Sequence, residues 1–256
     1  MAGEPRRARK QRLDQLLVEK GLASSRGRAQ ALIMAGRVFA GERRLDKAGM
    51  TVAADLAITL RGRDHPWVSR GGVKLAHALD HFAVDPADAV VLDLGASTGG
   101  FTDVVLKRGA ARVYAVDVGR GQLDWRLRED PRVVVLEGVN ARYLDHDRVP
   151  EPPDLIVCDA SFIGLETLLP APLALAAPGA VLIALIKPQF EAGPDKVGKG
   201  GIVRDPEVRA DVRERIRDWL DSRPGWRVVG VTESPIRGAR GNVEFLICAR
   251  HDAPHA

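Results

Sequence analysis

Four ionisable residues stand where an open α/β sheet presents chemistry. Asp159 ends the apolar run Asp154-Leu-Ile-Val-Cys-Asp159, and Lys187 ends Val181-Leu-Ile-Ala-Leu-Ile-Lys187. Ligands of such sheets bind outside the carboxyl ends of the strands. Glu244 lies inside Asn242-Val-Glu-Phe-Leu-Ile247, where a carboxylate without a partner is costly. Lys74 lies in Ser69-Arg-Gly-Gly-Val-Lys-Leu75, at the start of a predicted helix. Singly, each has an ordinary explanation as a helix cap or a solvated side chain. Two lysines and two acids converging on one ligand form a stronger, joint signal.

The ligand is suggested by Asp93-Leu-Gly-Ala-Ser-Thr-Gly-Gly-Phe101, which follows the apolar run Ala89-Val-Val-Leu92 and precedes a helix-like stretch. Strand, glycine-rich turn and helix open a nucleotide-binding sheet. The spacing is not G-x-G-x-x-G, so a pyrophosphate is not the first choice. The next apolar run, Arg112-Val-Tyr-Ala-Val-Asp117, ends in an acid placed to grip ribose hydroxyls. A ribose acid without a pyrophosphate turn points to an adenosyl ligand lacking phosphates, S-adenosylmethionine first. Gly95, Ala96, Ser97, Thr98, Gly99, Gly100 and Phe101 are expected to cradle its amino acid end. Asp117 is expected at the ribose and Asn140, after the third strand, at the adenine edge.

Other candidates are weaker. Cys158 sits in an apolar strand with no adjacent base, and with Cys248 it fits a core position. The Asn/Asp-Pro-Pro-aromatic motif of amino-group methylation is absent after Asp159. His77 and His81 have helical metal spacing but no evident third ligand, so no metal is expected. Gly198-Lys-Gly-Gly201 is not a P-loop, because no Ser or Thr follows the lysine.

These residues need an alternating sheet to position them. Predicted strands cover 90–94, 112–117, 132–136, 154–159, 180–187, 226–233 and 242–249. Predicted helices cover 72–82, 99–109, 121–129, 162–176 and 206–221. The alternation implies a Rossmann-like α/β fold: a mostly parallel, seven-stranded sheet covered on both faces. A short loop, Ser234 to Gly241, makes the last two strands a hairpin and gives one antiparallel strand.

A smaller α+β unit is expected over 11–62, after a basic tail at 1–10. A leucine stripe (Leu13, Leu16, Leu17) marks its first helix. Ser24 or Ser25 caps a second helix with Ala29, Leu32 and Ile33 inward. Arg37–Ala40 and Leu56–Leu60 fit short strands. A linker is expected over 63–68, the large domain over 69–250 and a tail over 251–256.

Charge separates the two parts. Residues 1–64 hold 14 Lys and Arg against 7 Asp and Glu, the remainder 24 against 27. A basic front segment implies an anionic partner, nucleic acid before membrane. Arg12, Arg26, Arg28, Arg43 and Arg44 are the expected phosphate contacts, with Arg237 and Arg240 in the hairpin loop beside the proposed site. No apolar run is long enough to span a bilayer and no secretory signal opens the chain, so a cytoplasmic location is expected.

Ser69–Leu75, Asp93–Phe101, Cys158-Asp-Ala-Ser-Phe162, Leu185-Ile-Lys-Pro-Gln-Phe-Glu191 and Gly241-Asn-Val-Glu-Phe245 together resemble the TlyA, or hemolysin A, family. The likeness runs from about Arg12 to about Arg250. The first 60 residues resemble a small RNA-binding domain of ribosomal-protein type, and the rest resembles FtsJ-like ribose 2′-O-methyltransferases. That resemblance implies a Lys-Asp-Lys-Glu tetrad at Lys74, Asp159, Lys187 and Glu244. It further implies S-adenosylmethionine-dependent methylation of ribosomal RNA at cytidine 2′-hydroxyls, with ribosomal RNA or ribosomal subunits as partner. Lys187 would be the base or hold the acceptor oxygen, Lys74 would orient the acceptor, and the acids would fix the lysines. Two alternatives stay open: a non-catalytic ribosome-binding factor, and a membrane-lytic protein, which no amphipathic apolar stretch supports.

Overall fold

The computed structural model describes residues 10–23, 25–61 and 65–252. Most of the basic tail, the candidate cap Ser24, part of the linker and residues 253–256 lie outside the described residues. The chain forms two compact units, one ending at Pro66 and the other beginning at Trp67.

The small unit contains β1 (Lys10–Arg12), α1 (Leu13–Glu19), α2 (Arg26–Met34), β2 (Val38–Ala40), β3 (Arg43–Arg44), β4 (Thr51–Ala53) and β5 (Thr59–Leu60). The leucine stripe of α1 is buried against Ala29, Leu32 and Ile33 of α2, together with Val38, Leu45 and Val52. Ser25 caps α2, its hydroxyl accepting from the Arg28 amide at 3.1 Å. The expected strand over Leu56–Leu60 is reduced to its last two residues. β1 and β4 pair antiparallel, and β2 lies between β3 and β5.

The large unit contains α3 (Gly71–His81), β6 (Val90–Leu94), α4 (Gly100–Lys107), β7 (Arg112–Asp117), α5 (Trp125–Arg128), β8 (Val133–Glu137), β9 (Leu155–Cys158), α6 (Leu165–Leu168), α7 (Pro170–Ala174), β10 (Val181–Ile186), α8 (Pro188–Glu191), α9 (Pro206–Asp221), β11 (Trp226–Glu233) and β12 (Phe245–His251). Its sheet has the order β11-β12-β10-β9-β6-β7-β8, with β12 antiparallel to both neighbours and the β10-to-β8 half parallel. Alternate side chains enter two cores, as the period of a strand requires. Val91, Val157 and Ile183 face Leu75, Leu79, Val104 and Val105 of α3 and α4. Leu92, Ile156 and Leu182 enter the other core, shared with Leu168 of α6, Leu173 of α7 and Ile216 of α9.

Local chemistry sets the ends of these elements. Asp205 caps α9 by accepting from the Glu207 amide at 2.9 Å, with Pro206 in the first turn. The predicted helix 162–176 is broken: Phe162 takes a left-handed conformation (φ 66°), and Pro170 starts a new helix because it has no N–H to continue the old one. The predicted helix 121–129 shortens to α5, since Asp124 caps it by accepting from the Arg126 amide. At the front edge, Trp67 and Val68 belong to the large unit rather than to the expected linker. The Val68 amide donates to Asp103 at 2.8 Å. At the far end, β12 continues to His251, which pairs with Trp226.

Among its described residues, the small unit has one buried charge. Asp14 is fully buried and accepts from Arg12 at 3.0 Å, Arg26 at 3.3 Å and Gln30 at 3.1 Å. Hydrogen bonding from Arg12, despite the cost of burial, holds its carboxyl well below the usual carboxylate range. Its stabilising contribution is therefore present above the ordinary value of 3.8 and is lost as pH falls below it. Asp14→Asn should speed hydrogen exchange of α1 and α2 amides in the full chain, equivalent to about 2 kcal/mol. Unchanged exchange would contradict a structural role for this charge.

Candidate active site

Beyond the carboxyl end of β6, the chain must turn under a ligand-sized space. Gly95 takes a positive φ of 80°, and a Cβ there would lie 2.8 Å from the Ala160 backbone. A side chain is therefore excluded on steric grounds. Gly99 also has a positive φ, at the N-cap of α4. The turn is braced from β7: Asp117 accepts from the Ser97 amide at 2.8 Å and from the Gly119 amide at 2.7 Å. The Ser97 hydroxyl lies 3.2 Å from the Gln122 side-chain oxygen.

This turn forms one wall of an open pocket of about 300 Å³. Gly95, Ala96, Ser97, Thr98, Gly100 and Phe101 line that wall. Opposite lie Lys74, Asp159, Lys187 and Glu244, together with Ser161, Gln189 and Phe190. The topology explains the meeting. Asp159 and Lys187 follow the ends of adjacent parallel strands β9 and β10, Glu244 enters β12 on the other side of β10, and Lys74 lies on α3.

The four charges form two pairs. Lys187 Nζ lies 2.6 Å from Asp159 Oδ1, and Lys74 Nζ donates to Glu244 Oε2 at 2.6 Å. Lys74, Lys187 and Glu244 are buried, Glu244 to 2% exposure. Lys187 also donates to the Asp159 carbonyl at 3.0 Å and to the Ser161 hydroxyl at 2.9 Å. Three acceptors around Nζ match the three N–H bonds of an ammonium. Glu244 accepts at its second oxygen from Gln189 Nε2 at 3.1 Å.

A fifth ionisable residue lies beneath. Asp93 is fully buried; Thr102 donates to its Oδ2 at 2.6 Å, and its Oδ1 has no partner among the described residues. Burial, aided by the negative charges of Asp159 and Asp117, pushes its carboxyl up to about 7 against the pull of Thr102. Burial likewise pushes the Cys158 thiol up to about 12, which leaves no thiolate for attack on a base.

Not every expected residue reaches the pocket. Gly99 sits behind the wall, where an added Cβ would meet Leu123 and Leu127. Asp117 and Asn140 lie outside the lining; the Asn140 side-chain oxygen caps the turn Ala141–Tyr143 by accepting from the Arg142 amide at 3.1 Å. Arg237 pairs with Glu233 at 3.4 Å, and Arg240 donates to the Gly200 carbonyl at 2.7 Å, although Ala239 between them does line the pocket. In the small unit, Arg12 and Arg26 bind Asp14, while Arg28, Arg43 and Arg44 are exposed. His77 and His81 stack on each other. Ser161 and Gln189 were not singled out from the sequence; both belong to motifs whose charged members drew attention first.

A mostly parallel sheet with an antiparallel β12, a glycine turn after β6 and acids at the carboxyl edge define a Rossmann-like methyltransferase. The FtsJ-like methyltransferase family matches residues 67–251, and the S4 domain matches residues 11–58. The 16S/23S rRNA (cytidine-2′-O)-methyltransferase TlyA of Mycobacterium tuberculosis is 46% identical, over 97% of this chain and 93% of that protein. Hemolysin A of Brachyspira hyodysenteriae is 40% identical, over 92% of this chain and 98% of that protein. A solved structure from Streptococcus thermophilus, carrying the hemolysin label, is 40% identical with a TM-score of 0.73, over 96% of this chain and 90% of that one. The chain belongs to the TlyA family of FtsJ-like methyltransferases.

Asp93 gives this site a pH signature. Its folded-state value is raised, so its contribution to stability is full below about 4 and lost as pH rises through about 7. The unfolding free-energy difference between wild type and Asp93→Asn should change by up to ~4 kcal/mol across that window. A difference independent of pH would contradict the buried, neutral carboxyl.

Proposed function

We propose that the protein transfers a methyl group from S-adenosylmethionine to a ribose 2′-hydroxyl of ribosomal RNA, at cytidine. The observation that carries this reading is the pair of contacts that two buried lysines make with carboxylates, Lys187–Asp159 and Lys74–Glu244, on one pocket under the Gly95–Phe101 turn. The Mycobacterium tuberculosis relative, named as a cytidine-2′-O-methyltransferase of rRNA, supports the substrate. Ribosomal RNA, free or in a subunit, is the proposed partner.

The residues fit the cofactor. The Gly95–Phe101 turn lines the pocket, and the Asp159 carboxylate across it suits a ligand with positive charge. Gly95 to Gly100 would hold the amino acid end. Asp117 would accept from the ribose hydroxyls with lone pairs its two backbone contacts leave over, and Asn140 would border the adenine. When bound, the cofactor supplies a methyl group already activated by a sulfonium.

The chain then has to present an oxygen in line. Lys187 carries an ammonium pattern, so it serves as a donor that holds the acceptor oxygen rather than as the initial base. The Ser161 hydroxyl marks the place: an incoming ribose hydroxyl would replace it on Nζ, while Asp159 keeps the lysine aimed. Lys74, fixed by Glu244, would steady negative charge on the acceptor. As the oxygen bonds to carbon its proton becomes strongly acidic, and water at the open mouth takes it. Alignment of this kind can contribute ~7–11 kcal/mol. The Phe162 ring, 89% exposed and 5.1 Å from Phe190, offers a face for a base. Arg28, Arg43 and Arg44 would contact phosphates first, with Arg12, Arg26, Arg237 and Arg240 contributing from their ion pairs and hydrogen bonds.

Two measurements test this. Lys187→Ala should abolish transfer of labelled methyl to ribosomal subunits while binding of the demethylated cofactor stays within about threefold; full activity would remove Lys187 from the mechanism. Replacing Arg28, Arg43 and Arg44 together by Ala should lower the dependence of log affinity on log salt by roughly two to three. An unchanged slope would place the RNA elsewhere.

A further inference from the structure

Gln189 is a polar side chain of the pocket with one end bound to the tetrad and the other unpartnered among the described residues. It lies on α8, two residues after Lys187, and its Nε2 donates to Glu244 Oε1 at 3.1 Å. Lys74 holds the other oxygen of the same carboxylate at 2.6 Å. An ionised carboxylate only accepts, so the amide must present its nitrogen to Glu244, and this fixes which end of the amide is which. Oε1 is thereby turned away from Glu244. It is buried and meets no donor among the described residues. A buried carbonyl without a partner costs free energy that folding alone does not return. Gln189 lines the same pocket as both lysines, and Oε1, covered in this structure, would meet a donor brought by the substrate once entry of the ribose uncovers it.

We propose that Gln189 positions the acceptor: its nitrogen clamps Glu244 so that Lys74 stays aimed, and its carbonyl accepts the hydrogen bond of the acceptor ribose hydroxyl. This rests on the ribose-methylation reading above. A hydroxyl has one proton and two lone pairs. With the proton directed to Gln189 and one lone pair held by a lysine, the second lone pair is left to face the methyl carbon. The acceptor oxygen then bonds to that carbon, the electron pair of the old carbon–sulfur bond stays on sulfur, and the proton passes to water. Gln189 orients the hydroxyl and takes no proton itself.

Two near-isosteric variants separate this role from simple packing. Q189M removes both contacts and should lower kcat for ribosomal RNA by ~10–100-fold, the effect of one hydrogen bond to a charged or reacting group. Binding of the demethylated cofactor, measured by calorimetry, should change less than about twofold. Q189E keeps an acceptor oxygen but sets a second carboxyl against Glu244. While the two carboxyls share a proton, the new one can still donate to Glu244; once both ionise they repel. Its rate should therefore fall as pH rises through a range in which wild type holds steady. Wild-type kcat in Q189M, or parallel pH profiles for Q189E and wild type, would overturn the assignment of Gln189. Wild-type enzyme that places no methyl on ribose would overturn the underlying reading, and this inference with it.

Discussion

Two ammonium groups and one carboxylate are buried, with a second carboxylate half-buried, at one edge of a sheet, and that constraint organises the large unit. A buried charge is tolerated only with a partner and further hydrogen bonds. Lys187 therefore needs Asp159 beside it, and Glu244 needs Lys74 and Gln189. The pairs form because β9 and β10 run parallel and end together, while β12 runs the other way and begins there. The antiparallel strand brings Glu244 to the same edge from the opposite chain direction. α3 is packed so that Lys74 reaches the edge from outside the sheet.

The Gly95 turn and the charge pairs are parts of one arrangement. Gly95 is pressed against Ala160, the residue after Asp159, so the cofactor-side wall and the first ion pair share a backbone contact. Beneath both lies Asp93, buried and held by Thr102. With its carboxyl raised to about 7 by burial, Asp93 adds less negative charge beneath Asp159 as pH falls below that value. The small unit follows the same rule on a lesser scale, with Asp14 fixing two arginines and a glutamine between its helices.

The sheet was largely legible in the sequence because its strands are continuous apolar runs ending in polar residues, as parallel strands buried on both faces must be. β6, β7 and β11 have the expected limits. In the small unit β2 and β5 fall within runs read as strands, but β1, β3 and β4 were not legible: β1 is Lys-Gln-Arg, polar throughout, and exists only through its register with Thr51–Ala53 far along the chain. The break before α6 escaped because nothing in Phe162 signals a left-handed conformation. The meeting of Lys74, Asp159, Lys187 and Glu244 on one pocket was expected from Asp159 and Lys187 at the ends of apolar runs, Glu244 inside one, and the family resemblance. Gln189, Ser161 and the neutral Asp93 were not, since their roles depend on which atoms face them across the fold. The same holds for Arg26, whose pairing with a buried Asp14 on the preceding helix is a tertiary fact.

The central claim is that this edge methylates a sugar oxygen. The most direct measurement is to label ribosomal RNA with the protein and methyl-tritiated cofactor, digest it with alkali, and locate the label. A 2′-O-methyl group blocks cleavage at its own linkage, so the account predicts label in alkali-resistant dinucleotides beginning with cytidine. Label released in mononucleotides, with the methyl on a base, would contradict it.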